Sequence, residues 1–218
     1  MAEFVLVHSP VTGPSTWRWV AAELAGRGHR VGVPVVAAVG HWREFVDSVA
    51  AQVPPGDGAV LVGHSGAGPV LAQIAARIGA GSLIFVDADV PPDTGEAELM
   101  PADILTQLRT IAVDGLLPPW SAWFGPEVMR ELVPDAARRA IVTAELPRLP
   151  LSYFEARVPA PIGWAAARGG YVLLSDAYAA AAAVAAARGW PVVRQLGGHL
   201  DLVTRPDAVA DAIVSVLG

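Results

Sequence analysis

The chain has no cysteine. That removes disulfide staples, a thiol nucleophile and thiolate metal sites together, so its chemistry must come from oxygen and imidazole groups. Long apolar runs are missing too: hydrophobic residues make up 53% of the sequence, yet no uninterrupted stretch approaches the ~20 residues of a membrane helix. The alanine-rich stretch from Tyr178 to Ala187 is too short, so it reads as a closely packed helix and no membrane partner is expected. Basic clusters are absent. Lys and Arg number 15 against 21 Asp and Glu, a net charge of -6, whereas nucleic-acid binding rests on grouped cations that neutralise phosphates. A nucleic-acid partner is therefore not expected. There is no Gly-Lys-Ser or Gly-Lys-Thr phosphate loop, and the five histidines show no metal-ligand spacing. No basic segment precedes Phe4-Val5-Leu6-Val7, which makes a cytoplasmic location the expectation.

What the sequence does contain is a regular alternation. With 218 residues, it fits one domain over 1–218. Short apolar runs bounded by Gly or Pro predict strands at 4–8, 30–35, 59–62, 82–86, 171–174 and 192–195. Helical periodicity between them predicts helices at 16–27, 41–52, 69–78 and 206–217. Strand-helix alternation of this kind gives an α/β fold with a mostly parallel sheet of about six strands. Between residues 92 and 160 the strand pattern lapses into helical segments broken by Pro118-Pro119, Pro134, Pro147 and Pro150. This is read as a helical cap inserted before the penultimate strand. Its Trp120, Trp123 and Phe124 read equally well as the wall of a substrate pocket or as core.

The chemistry gathers at Gly63-His64-Ser65-Gly66-Ala67-Gly68, where a strand runs into a helix. A Gly-x-Ser turn there forces the serine into a strained conformation that lifts its hydroxyl above the sheet, provided small residues flank it. The usual pattern has Gly in the fifth position; here Ala67 occupies it and Gly68 follows. His199, in Gly197-Gly198-His199-Leu200 after the last strand, sits on a loop that can bring an imidazole to Ser65 as general base.

From Val5-Leu6-Val7-His8 through Gly63-His64-Ser65 to Gly198-His199 and the closing helix, the chain resembles the α/β-hydrolase superfamily. His8-Ser9-Pro10 with Trp17, together with Val86-Asp87-Ala88-Asp89-Val90-Pro91, is similar to its small plant-type esterase and hydroxynitrile lyase group. The resemblance implies a carboxylate that holds the histidine tautomer, with two candidates. Asp87 lies after the strand that follows the nucleophile helix, the place used by haloalkane dehalogenases among others. Asp176, after the strand before last, occupies the commoner place but close to its strand. We favour Asp87 and read Asp89 as a turn carboxylate beside proline. The oxyanion donors implied are the N–H of Gly66 and one from the first loop. The usual second donor position is Pro10, which has no N–H, leaving the Ser9 hydroxyl or the Val11 N–H. His8 and His64 are expected to be structural, and His29 and His41 fall near a turn and a helix start.

The function implied is a serine hydrolase that cleaves a small, mainly apolar ester through an acyl-enzyme, without metal or cofactor, with a small-molecule substrate as its partner and a monomer or homodimer as its state. Two alternatives stay open: a lyase or cyclase-type activity on a natural-product-like substrate, because Pro10 weakens the oxyanion hole, and a ligand-binding protein on a hydrolase fold.

Overall fold

The computed structural model describes residues 1–56, 58–125 and 127–218. The chain runs β1 (Glu3–Val7), α1 (Arg18–Gly26), β2 (Arg30–Gly32), α2 (Trp42–Ala50), β3 (Ala59–His64), α3 (Gly68–Ile78) and β4 (Ser82–Val86). An insert follows, made of β5 (Glu96–Glu98), α4 (Ala102–Ile111), α5 (Val128–Leu132), α6 (Ala136–Thr143), α7 (Leu151–Glu155) and β6 (Arg157–Pro159). The chain returns through β7 (Arg168–Leu173), α8 (Ala179–Ala187), β8 (Val192–Arg194), α9 (Asp201–Thr204) and α10 (Pro206–Ser215).

Six strands form one sheet in the order β2-β1-β3-β4-β7-β8, and every neighbouring pair is parallel. Strands buried on both faces should read as near-continuous apolar runs, and the inner stretches 4–7, 59–62, 83–86 and 171–173 do. Val5, Val7, Leu61, Leu83, Phe85, Tyr171 and Leu173 face one core, with α2, α3 and α8 on that side. The residues between them, Phe4, Leu6, Val60, Val62, Ile84, Val86 and Val172, face a second core shared with α1 and α10. Each fully buried Leu, Phe or Val contributes roughly 1.5–3 kcal/mol, so the sheet is held from both sides.

Three local signals fix the ends of these helices. The His41 side chain caps α2 by accepting from the Arg43 N–H at 3.1 Å, Pro69 stands in the first turn of α3, and Gly79 closes α3 in the left-handed region. Three features differ from the sequence expectation. β2 stops at Gly32 rather than 35, as Pro34 has no N–H to continue a ladder. β7 begins at Arg168 rather than 171, because Trp190 and Val216 lie where side chains of Gly169 and Gly170 would stand. The small antiparallel pair β5-β6 at the root of the insert was invisible to a three-residue period count. Among the described residues, no helix is long and apolar enough to cross a membrane.

The topology decides where a site can form. The chain builds outward from β1 to β2, then crosses back to β3 and continues the other way, so the strand order reverses between β1 and β3. In such sheets the crevice beyond the carboxyl ends at this reversal is the natural place for a ligand. Register then levels the strand ends: Val7 lies opposite Gly63, His64 opposite Val86, and Val86 opposite Val172.

Candidate active site

Just beyond those level ends stand Ser9, Ser65, Asp87 and Ser175. Ser65 opens a short turn between β3 and α3 with φ of 54°, and Asp87 follows β4 with φ of 45°. Both are non-glycine residues in the left-handed region, a conformation that costs roughly 1–2 kcal/mol per residue and persists only where surrounding structure enforces it. At Asp87 the enforcement is visible, since its N–H still donates to Val172 O at 2.9 Å and continues the ladder.

His199 joins the two. Its Nε2 lies 3.0 Å from Ser65 Oγ, and its Nδ1 lies 2.8 Å from Asp87 Oδ2. A carboxylate only accepts, so Nδ1 carries the proton and donates, which leaves Nε2 as the acceptor for the serine hydroxyl. Asp87 is fully buried but well supplied with donors. Its Oδ1 accepts from the Leu174 and Ser175 N–H groups at 2.8 and 2.9 Å, and Oδ2 also accepts from the Ser175 hydroxyl at 2.6 Å. Burial pushes this carboxyl up, but the His199 imidazole and the two Ser175 donors outweigh it and hold the group below the usual carboxylate range.

Packing fixes the imidazole plane. Tyr178 stacks on His199 with centroids 5.3 Å apart and planes 9° from parallel, and His64 packs on it at 4.6 Å. His64 Nε2 donates to the His199 carbonyl at 2.9 Å; burial, with His199 next to it, lowers its pKa and keeps it neutral. The loop behind His199 is stapled by buried Asp201, which accepts from Gly198 N–H at 2.9 Å and Thr204 Oγ1 at 2.7 Å and pairs with Arg205.

The opposite wall comes from the loop after β1. His8 Nε2 accepts from Val36 N–H at 3.3 Å, so its Nδ1–H donates to Ser9 O at 2.8 Å. Thr12 adds two more donors to the same carbonyl. The loop is thus bolted in place while the Ser9 hydroxyl, itself buried, has no partner among the described residues. The nucleophile turn and the first loop meet closely at Gly66, where a Cβ would lie 2.8 Å from Ser9 Oγ and 3.2 Å from Pro10 Cδ.

A cavity of about 490 Å³ opens on Ser65 and His199. The expected Trp120, Trp123 and Phe124 line it, with Val11, Ser9 and Gly66 on the other side. Trp123 is also core, buried to 5% with its indole N–H donating to Pro118 O at 2.8 Å, so the two readings of the insert's aromatics hold together. Of the two acid candidates, Asp87 contacts His199. Asp176 is exposed and makes no side-chain hydrogen bond among the described residues; it belongs to a short helical turn, Asp176–Tyr178, that carries it away from the buried crevice. Asp89, expected to cap its own turn, makes no such bond either and instead lines the cavity. His8 and His64 are structural as expected, and His29 accepts from the Ala2 N–H at 3.2 Å.

Sequence reasoning missed Ser175, Tyr178, Tyr153 and Phe154. Only Ser175 had a signal, its position at the end of a predicted strand beside a candidate acid. No group of three His, Asp or Glu side chains among the described residues is placed to hold a metal ion.

The sequence profile of the alpha/beta hydrolase family matches residues 4–212. Among curated proteins, the chain is similar to a carbendazim hydrolyzing esterase of Nocardioides sp. (strain SG-4G), 36% identical over 107 residues, 42% of this chain and 43% of that protein. It is also similar to Esterase PIR7B of Oryza sativa subsp. japonica, 32% identical over 130 residues, 52% of this chain and 47% of that protein. The matches thus span about half the length of these curated relatives. Two solved structures share the fold over essentially their whole length. An extracellular alpha/beta-hydrolase from a Paenibacillus species has a TM-score of 0.76 at 21% identity, covering 99% of each chain. Polyneuridine aldehyde esterase has a TM-score of 0.74 at 16% identity, covering 100% of each.

Proposed function

The chain belongs to the alpha/beta hydrolase family, and on that premise we propose that it is a serine esterase acting on a small, mainly apolar ester. One observation carries the reading: an unbroken run of hydrogen bonds from Ser65 Oγ through His199 to Asp87, at 3.0 and 2.8 Å, opening into an apolar cavity. His199 Nε2 takes the hydroxyl proton as Ser65 Oγ attacks the ester carbonyl carbon. The negative charge that develops on the carbonyl oxygen is met by the Gly66 N–H and by the Ser9 hydroxyl, whose lack of a protein partner leaves it free to donate. His199 returns the proton to the departing alcohol, an acyl-serine forms, and water activated by the same imidazole releases the acid. Asp87 stays ionised throughout and stabilises the imidazolium. The cycle consumes only water and calls for no cofactor.

Pro10 supports a second reading. Where an N–H donor is usual, the first loop offers only the Ser9 hydroxyl or the Val11 N–H, which suits a lyase reaction that uses the Ser65 and His199 pair as a base without a full oxyanion hole.

Labelling by a fluorophosphonate probe, followed by release of p-nitrophenol from short-chain esters, tests both. Wild type should label and turn over esters, while Ser65→Ala does neither. Labelling without ester turnover favours the lyase reading, and a folded wild type that does not label overturns the serine nucleophile.

A further inference from the structure

The proposed reaction uses some of the polar groups of the cavity but not its carboxylate. Ser65, His199 and Ser9 face the reacting ester, and Ser175 is tied to Asp87. Among the described residues, Asp89 is the one carboxylate that lines the cavity, and no Arg lines it. Its placement is built in. A Cβ on Gly68 would lie 2.3 Å from Asp89 O, so glycine there lets the Asp89 backbone seat directly on the start of α3. No cation lies within ion-pair distance of Asp89 among the described residues. Asp89 stays exposed to solvent where the cavity opens, and its partial burial raises its carboxyl above its ordinary value.

The same cavity has aromatic walls, including Trp120, Trp123, Tyr153, Phe154 and Tyr178. The Tyr153 hydroxyl is buried without a partner among the described residues. Beyond Asp89 a second cavity continues, sharing Pro69, Asp89 and Pro101 with the first and adding Glu96 and Glu98. Glu98 pairs with Arg157 at 2.8 Å, while Glu96 has no ion pair among the described residues. Glu96 and Asp89 thus give this second cavity its uncompensated negative charge.

We propose that the cavity takes an ester carrying a cationic nitrogen, held between the aromatic walls and the Asp89 carboxylate. The proposal rests on the serine-esterase reading and names its substrate class. Aromatic faces attract an ammonium ion and gain strength where water is excluded; a fixed carboxylate supplies the countercharge, and the acidic approach steers cations inward. A neutral ester would leave the Asp89 carboxylate to water.

The test compares 3,3-dimethylbutyl acetate with acetylcholine, its trimethylammonium isostere, so that only charge differs. Wild type should prefer the cationic ester in kcat/KM by roughly fivefold or more. Asp89→Asn should bring that ratio to about one, and Asp89→Glu should keep a preference. Equal use of both esters by wild type, or a preference that survives in Asp89→Asn, overturns the proposal. Calorimetry of Ser65→Ala with choline and with 3,3-dimethylbutanol asks the same question without turnover. Choline binding alone would sustain the cation site even if the esterase reading failed, and tighter binding of the neutral alcohol would overturn it.

Discussion

The crevice at the sheet edge and the helical insert above it are built on opposite terms. In the crevice the acid and the first loop are held by dense hydrogen bonding: Asp87 accepts four hydrogen bonds, Ser9 O is held by His8 and Thr12, and two residues carry strained backbone. In the insert the helices are short, α5 and α7 having five residues each, and the contribution to the cavity is mostly apolar surface. Only a few polar ties anchor it, such as Glu145 accepting from Ser15 N–H at 2.8 Å and Arg138 donating to Val203 O at 2.5 Å. The difference separates two jobs. Proton transfer needs atoms fixed to tenths of an ångström, while an apolar wall works as long as its volume is right. Changes in the crevice should therefore act on rate, and changes in the insert on substrate binding.

The largest effect falls on the acid. Asp87→Asn removes the acceptor that orients the imidazole, and kcat should drop by about 10²–10⁴-fold, whereas Asp176→Asn should leave it within about twofold. The same variant has a pH signature. Because the folded pKa of Asp87 is depressed, its stabilisation is complete above the unfolded value and is lost as pH falls through the folded one. Thermal melts should show the wild-type melting temperature converging on that of Asp87→Asn as the solution is acidified below the ordinary Asp range.

Ser9→Ala, which removes one oxyanion donor and keeps the loop's backbone bonds, should lower kcat by about 10–10²-fold with KM little changed. Equal activity would shift the second donor to Val11. Next in size, Asp201→Asn weakens the staple behind His199 without touching the reacting groups; steady-state kinetics should show kcat down about tenfold. The contrast with the insert is sharpest for Trp120→Ala. Its ring stands 6.4 Å from that of His199, and its loss should raise KM about fivefold while kcat stays within about twofold. A kcat loss as large as that of Ser9→Ala would erase the distinction between crevice and wall.

Much of the crevice was legible in the sequence because its signals are local. The Gly63 to Gly68 turn announces a strained serine, the loop at Gly197-Gly198 announces a movable histidine, and unbroken apolar strands announce a sheet covered on both faces. The insert was legible only as helical and aromatic. Its lining depends on how α4 and α7 pack over the sheet, and a Trp in a helix looks the same whether it faces a cavity or a core. Tyr178 gave no sign at all, since its stacking on His199 joins two loops that follow different strands.

Period, turn chemistry and chain order depend on near neighbours, so the sequence by itself determined the doubly covered parallel sheet, the serine at a strand-to-helix turn and a histidine after the last strand. The choice of Asp87 over Asp176, the unpartnered Ser9 hydroxyl and the placing of Asp89 in the cavity were decided only by tertiary structure. Each rests on the register of strands far apart in the chain: Asp87 is buried with its donors in place because β4 and β7 pair with Val86 opposite Val172, which brings Leu174 and Ser175 to a carboxylate 87 and 88 residues away.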